Sequence, residues 1–178
     1  MKRIFVISGP RFTGKTTLIE ELRREGYNNC IVSTENYSDE LNLNLVYSVI
    51  DDFLIGKEEY LFLEGGWVDS YINLKIKGSE LNLLEDIIKL EYNLLGEAVT
   101  ITHIGCFREW FFSAPYVKKS ILNKNYSDSK DLFIFNDMRQ KHNLYYAYLE
   151  EYFQDITCNK SYVLRRGGYI DLLSQIKS

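Results

Sequence analysis

The residues best equipped for chemistry stand together near the amino terminus, in Gly9-Pro10-Arg11-Phe12-Thr13-Gly14-Lys15-Thr16-Thr17. Their spacing, G-x-x-x-x-G-K-T, is that of a loop that cradles phosphate. Gly9 and Gly14 permit backbone angles and a close approach that a Cβ would block, so successive N–H groups can turn inward onto phosphate oxygens. A helix opening at this loop adds the positive end of its dipole. Lys15 can reach the β- and γ-phosphates, and the Thr16 hydroxyl can ligate Mg²⁺. The run from Gly9 to Thr17 is thus an expected nucleotide-phosphate site, with ATP and Mg²⁺ as its ligands.

The flanking elements fit that reading. Ile4-Phe5-Val6-Ile7 has strand character, and Leu18, Ile19 and Leu22 give a helical period that ends near Gly26. A second short strand is expected at Cys30–Ser33. A helix follows over Asp39–Ile55, with Leu41, Leu45, Val46, Val49, Ile50, Phe53 and Leu54 on its apolar side and Gly56 as its stop. Tyr60-Leu61-Phe62-Leu63 is a continuous apolar run, as expected of a strand buried on both faces. Further on, the pattern predicts a helix over 81–95, a strand over 98–104 and a long tyrosine-rich helix over 131–153. A fifth strand near 161–164 and a closing helix over 169–176 complete the series. Strands alternating with helices imply an α/β fold: a three-layer P-loop NTPase with a central five-stranded parallel sheet and helices on both faces.

Ligands of such sheets sit at the carboxyl ends of the strands, so Gly9, Thr34, Glu64 and Gly105 are expected to face one crevice. There Glu64 can hold Mg²⁺ through water or accept a proton from an attacking hydroxyl. The plainer alternative is a surface acid at a strand-to-turn junction.

Composition sets the outer bounds. A chain of 178 residues can bury a sizeable core without disulfides or metals, and with no repeat, linker or low-complexity tract it reads as one domain over 1–178. No run approaches a membrane span, and Met1-Lys2-Arg3 enters a strand rather than a secretory segment. Cys30, Cys106 and Cys158 are scattered and lack metal spacing, as in a reducing cytoplasm. The net charge of −4 argues against extended nucleic acid as a partner.

The phosphate loop, the long helix, the apolar strand ending in Glu64, and Trp67-Val68-Asp69-Ser70-Tyr71 together resemble the nucleoside monophosphate kinase family. The likeness is greatest to thymidylate kinases and the small nucleotide kinases of bacteriophages. In that family the third strand ends in an acid followed by arginine, then a serine and a tyrosine-containing helix; here the acid is Glu64 and the serine is Ser70. Leu74-Lys75-Ile76-Lys77-Gly78 falls where phage relatives carry a basic residue before glycine. The resemblance implies γ-phosphate transfer from ATP to a nucleoside monophosphate, a small-molecule acceptor pocket near Asp69 and Tyr71, and a lid over about 107–131. Arg165 and Arg166 fall where relatives cover the adenine. Thymidylate kinases are commonly dimers, and the Asp39–Ile55 helix is the segment that could make a homodimer here.

The departures concern arginine. Gly65 replaces the one that should follow the acid, and from Glu109 to Asp131 there are lysines only: Lys118, Lys119, Lys124 and Lys130. Lysine is a point charge without the bidentate fork. Arg11 and Arg108 are the candidate replacements, alongside Lys15 and Glu64 as catalytic residues. An acceptor hydroxyl needs less positive charge and more base, so a nucleoside or polynucleotide 5′-hydroxyl kinase is the second reading. A nucleotide-binding switch presenting Trp110-Phe111-Phe112 to a partner is the third. The aromatic stretch 107–116 can stack a base or simply pack a helix. Tyr145, Tyr146, Tyr148 and Tyr152 read as structural, Tyr37 and Asp39 as weaker site candidates. His103 and His142 receive no role.

Overall fold

A computed structural model of the chain describes residues 1–10, 13–33, 39–78, 81–96, 99–106, 128–155, 159–163 and Ile176. In chain order the elements are β1 (Lys2–Ser8), α1 (Lys15–Arg24), β2 (Ile31–Ser33), α2 (Asp39–Ile55), β3 (Tyr60–Glu64), α3 (Gly66–Lys77), α4 (Leu81–Gly96), β4 (Val99–Cys106), α5 (Asp128–Asp155) and β5 (Asn159–Val163). The strands form one parallel sheet in the order β2-β3-β1-β4-β5. The chain thus runs outward from β1 to β2, returns to β3, and crosses β1 to reach β4. β1 sits at the switch point, and ligands of such sheets bind outside the carboxyl ends of the strands there.

Alternation along the strands builds two apolar layers. Ile4, Val6, Leu61, Leu63, Val99 and Ile101 join α2, α3, α4 and α5 in the larger one. Phe5, Ile7, Phe62, Ile104 and Cys106 meet Leu18, Ile19 and Leu22 of α1, together with Ile176, in the other. Phe5 and Phe62 are in register and stack with ring centroids 4.9 Å apart. Helical elements therefore cover both faces, which is why the central strands read as unbroken apolar runs.

The element that the sequence pattern did not announce is α3. Gly65 and Gly66 take φ of 95° and 59°, turning the chain from strand directly into helix. A Cβ on Gly66 would lie 3.0 Å from Val6 Cγ1. Gly66, Trp67, Val68, Ser70, Tyr71, Ile72 and Leu74 are all buried, so α3 lacks the broad polar side that an amphipathic period requires. Behind its first turn lies a buried polar network. Glu91 of α4 contacts His103 Nε2 of β4 at 2.6 Å and accepts from Trp67 Nε1 at 2.8 Å and from the Tyr152 hydroxyl of α5. Four elements are thereby tied to one carboxylate.

Other boundaries differ by a few residues from those the sequence suggests: α5 opens at Asp128 and β5 spans Asn159–Val163. The closing helix over 169–176 lies outside the described residues except for Ile176, as do the aromatic stretch and Cys158. Among the described residues no helix is long and apolar enough to cross a membrane.

Candidate functional site

The loop begins where β1 ends. Gly9 has φ 155°, and a Cβ there would lie 2.8 Å from both the Cys106 carbonyl oxygen and Thr13 Oγ1, so glycine is what lets the loop pass over the end of β4. Thr13 Oγ1 donates to the Pro10 carbonyl at 2.8 Å. Gly14, left-handed at φ 102°, caps α1, and the helix's first turn carries no acidic residue. The leading amides of α1 have no acceptor within their own helix and favour an anion. Lys15 is buried; its Nζ donates to the Gly9 carbonyl and, at 3.2 Å, to that of Pro10. Thr16 is exposed and Thr17 half-buried on the opening turn. Arg11 and Phe12 lie outside the described residues.

Glu64 ends β3 beside the loop. Its Cα is in register with Ile7, two residues before Gly9, and Gly65 N donates to the Ile7 carbonyl at 2.9 Å. With 6% of its surface exposed it is no surface acid. Gly105 pairs with Ser8 at the same edge, whereas Thr34, Tyr37, Arg108, the 107–127 part of the expected lid, Arg165 and Arg166 fall outside the described residues. The side chain of Asp39 does too.

Helix α5 supplies what sequence reasoning missed. The Tyr145 hydroxyl donates to Asp69 Oδ1 of α3 and receives the Gly9 amide, joining three elements at the loop. Burial, then the Asp69 charge, push this phenol well above its ordinary range. Tyr146 donates to the Cys106 carbonyl at 3.0 Å, the same carbonyl that crowds Gly9. His142, one turn earlier and 6% exposed, has its basicity lowered to about 4 by burial and by the nearby Lys15 ammonium. The signal was present in His142-x-x-Tyr145-Tyr146, the i, i+3, i+4 spacing of one helix face.

Of the two residues expected at an acceptor pocket, Asp69 accepts from Tyr145 beside the loop, whereas Tyr71 packs in the core with its ring 4.9 Å from that of Tyr152. Ser70 Oγ donates back to Gly66 O at 3.3 Å. Lys75 is held 2.6 Å from Glu151.

The arrangement fits a nucleotide phosphate and Mg²⁺. The loop leaves no room for a Cβ at Gly9, Lys15 is held inside it, and the buried Ser8 Oγ just before it has no hydrogen-bond partner among the described residues. The described residues hold no cluster of three His, Cys, Asp or Glu side chains. Mg²⁺ needs no such cage, since it keeps waters and takes one or two protein oxygens plus substrate phosphates.

No protein-family model and no curated protein sequence matches the chain. Among solved structures it is similar to a deoxyadenosine kinase from M. mycoides with bound dATP, with 16% sequence identity and a TM-score of 0.47 over 98% of this chain and 100% of that one.

Proposed function

We propose that this chain is an ATP-dependent phosphotransferase acting on a small nucleoside-based acceptor. The observation that carries the proposal is the meeting of the Lys15 loop with the buried Glu64 at adjacent strand ends, at the switch point of a parallel sheet. In this reading the α1 amides hold the phosphate chain and Lys15 offsets charge on the phosphoryl oxygens. Thr16 and Glu64 would hold Mg²⁺, which when bound neutralises charge on the β- and γ-oxygens. With a hydroxyl acceptor, Glu64 takes the proton as the new O–P bond forms and the bond to ADP breaks.

Between the two acceptor classes, a nucleoside hydroxyl is favoured over a nucleoside monophosphate, the thymidylate kinase-like reaction. From Glu64 to Tyr71 the chain offers two acids and no cation, so an acceptor phosphate would meet like charge. The test is incubation with Mg·ATP and a panel of nucleosides and monophosphates. Expected are phosphorylated nucleosides, with Glu64→Gln lowering turnover by about 10²–10⁴-fold while ATP still binds. Diphosphates formed from monophosphates alone would reverse the acceptor assignment. Absence of transfer to any acceptor would overturn the enzyme reading and leave the nucleotide switch.

A further inference from the structure

The inference concerns His142 and rests on the nucleotide-phosphate reading of the loop. Two side chains on one face of α5 reach the phosphate loop and its surroundings, and His142 shares that face one turn earlier. Tyr146 binds the Cys106 carbonyl that lies against Gly9, and Tyr145 bridges the Gly9 amide and Asp69. These contacts clamp the preceding turn, which carries the buried His142, against the loop that holds Lys15. We propose that His142 is a phosphate-contacting residue, a second cationic arm beside Lys15 that stands in for an arginine absent after Glu64 and between Glu109 and Asp131.

The chemistry follows from the neighbours. Lys15 of α1 is near enough for its charge to act on the imidazole. Tyr145 and Tyr146 flank it on its own helix, with Asp69 of α3 engaged through Tyr145 and Cys106 of β4 through Tyr146. Burial and Lys15 both favour the neutral ring, which is why its basicity stands at about 4. Phosphate oxygens between ring and ammonium reverse the second effect. One net negative charge at about 5 Å, in an effective dielectric of about 20, raises the midpoint by about two pH units. The ring then takes a proton from solvent when phosphate binds, donates an N–H to a phosphate oxygen, and returns the proton when phosphate leaves.

The chain has only two histidines, His103 and His142, so ring resonances in a nuclear magnetic resonance titration are assigned by loss of one set in His142→Gln. If that variant does not fold, His103→Gln makes the assignment by elimination. The titration is run on the whole chain alone and saturated with Mg²⁺ and a non-hydrolysable ATP analogue. Expected is a His142 ring neutral down to about pH 5 alone, with a midpoint near 6 when saturated. The affinity advantage of wild type over His142→Gln should also grow by about fourfold between pH 8 and pH 5.5. Binding of the analogue with an unmoved His142 midpoint would overturn the inference and leave the loop reading intact. No binding at any pH would overturn both.

Discussion

Two histidines are buried along α5 in opposite company. His103 packs against Tyr152 and Phe153, with ring centroids 5.9 and 5.5 Å away, and meets the carboxylate of Glu91 at 2.6 Å. His142, about three turns earlier on that helix, lies under the influence of the Lys15 ammonium. Both rings are buried, so the neighbouring groups set the character of each place. At His103 the carboxylate is fully engaged. Burial pushes the Glu91 carboxyl up, but His103 and the hydrogen bonds from Tyr152 and Trp67 outweigh it and hold the group below its ordinary range. That region is a joint, fixing the start of α3 to β4, α4 and α5. At His142 the nearby charge is an ammonium, beside a phosphate-type loop. Protonating the ring there is unfavourable unless an anion joins it, which is what the proposed role of His142 supplies.

The largest effect should come from breaking the joint. Glu91→Ala removes the acceptor for Trp67 and Tyr152 and the partner of His103, and should cost about 3–5 kcal/mol in urea denaturation. A loss under about 1 kcal/mol would mean that the network does not hold α3.

The next effect separates the two regions by pH. Folding favours neutral His142, since about 4 lies below the usual value near 6.5. The contribution is present above pH 6.5 and lost as pH falls toward 4, amounting to as much as about 3 kcal/mol. Denaturation across that window should show this slope in wild type and a flatter one in His142→Gln. Glu91, with its depressed value, contributes above the ordinary carboxylate range and loses that contribution as pH falls through its folded value, so its window lies lower. Equal slopes in wild type and variant would erase the distinction.

Much of this was legible before the fold was known. The loop declares itself because phosphate chemistry dictates residue types at fixed spacing, and Glu64 follows from ending an apolar strand. Glu91 and His103 carried signals too. Glu91 interrupts the apolar spacing of Leu84, Ile87, Ile88 and Leu94, and His103 continues the Val99, Ile101 alternation into the core. Neither pattern names the partner, because pairing across 12 residues depends on how α4 packs on β4. α3 stayed hidden because a helix buried over most of its surface has little period to read, and its paired glycines look like a turn. The electrostatic coupling of His142 to Lys15 links residues 127 positions apart, which no local pattern encodes.

A smaller effect probes the clamp on the loop. Tyr145→Phe removes the hydroxyl shared by Asp69 and the Gly9 amide, and should cost about 1–2 kcal/mol in urea denaturation and weaken ATP binding. Unchanged stability and affinity would detach α5 from the site. Smallest is Glu151→Gln, which releases Lys75 from a half-exposed pair and should cost less than about 1 kcal/mol by the same assay. A larger loss would show that the far end of α3 is held more firmly than its exposure suggests.

The measurement closest to the central claim is a calorimetric titration of Mg·ATP into wild type and Lys15→Ala. A saturable heat in wild type that Lys15→Ala abolishes or weakens by at least about tenfold is the predicted result. No heat through millimolar nucleotide, or identical binding by both proteins, would contradict the assignment of the Gly9–Thr17 loop as a phosphate site.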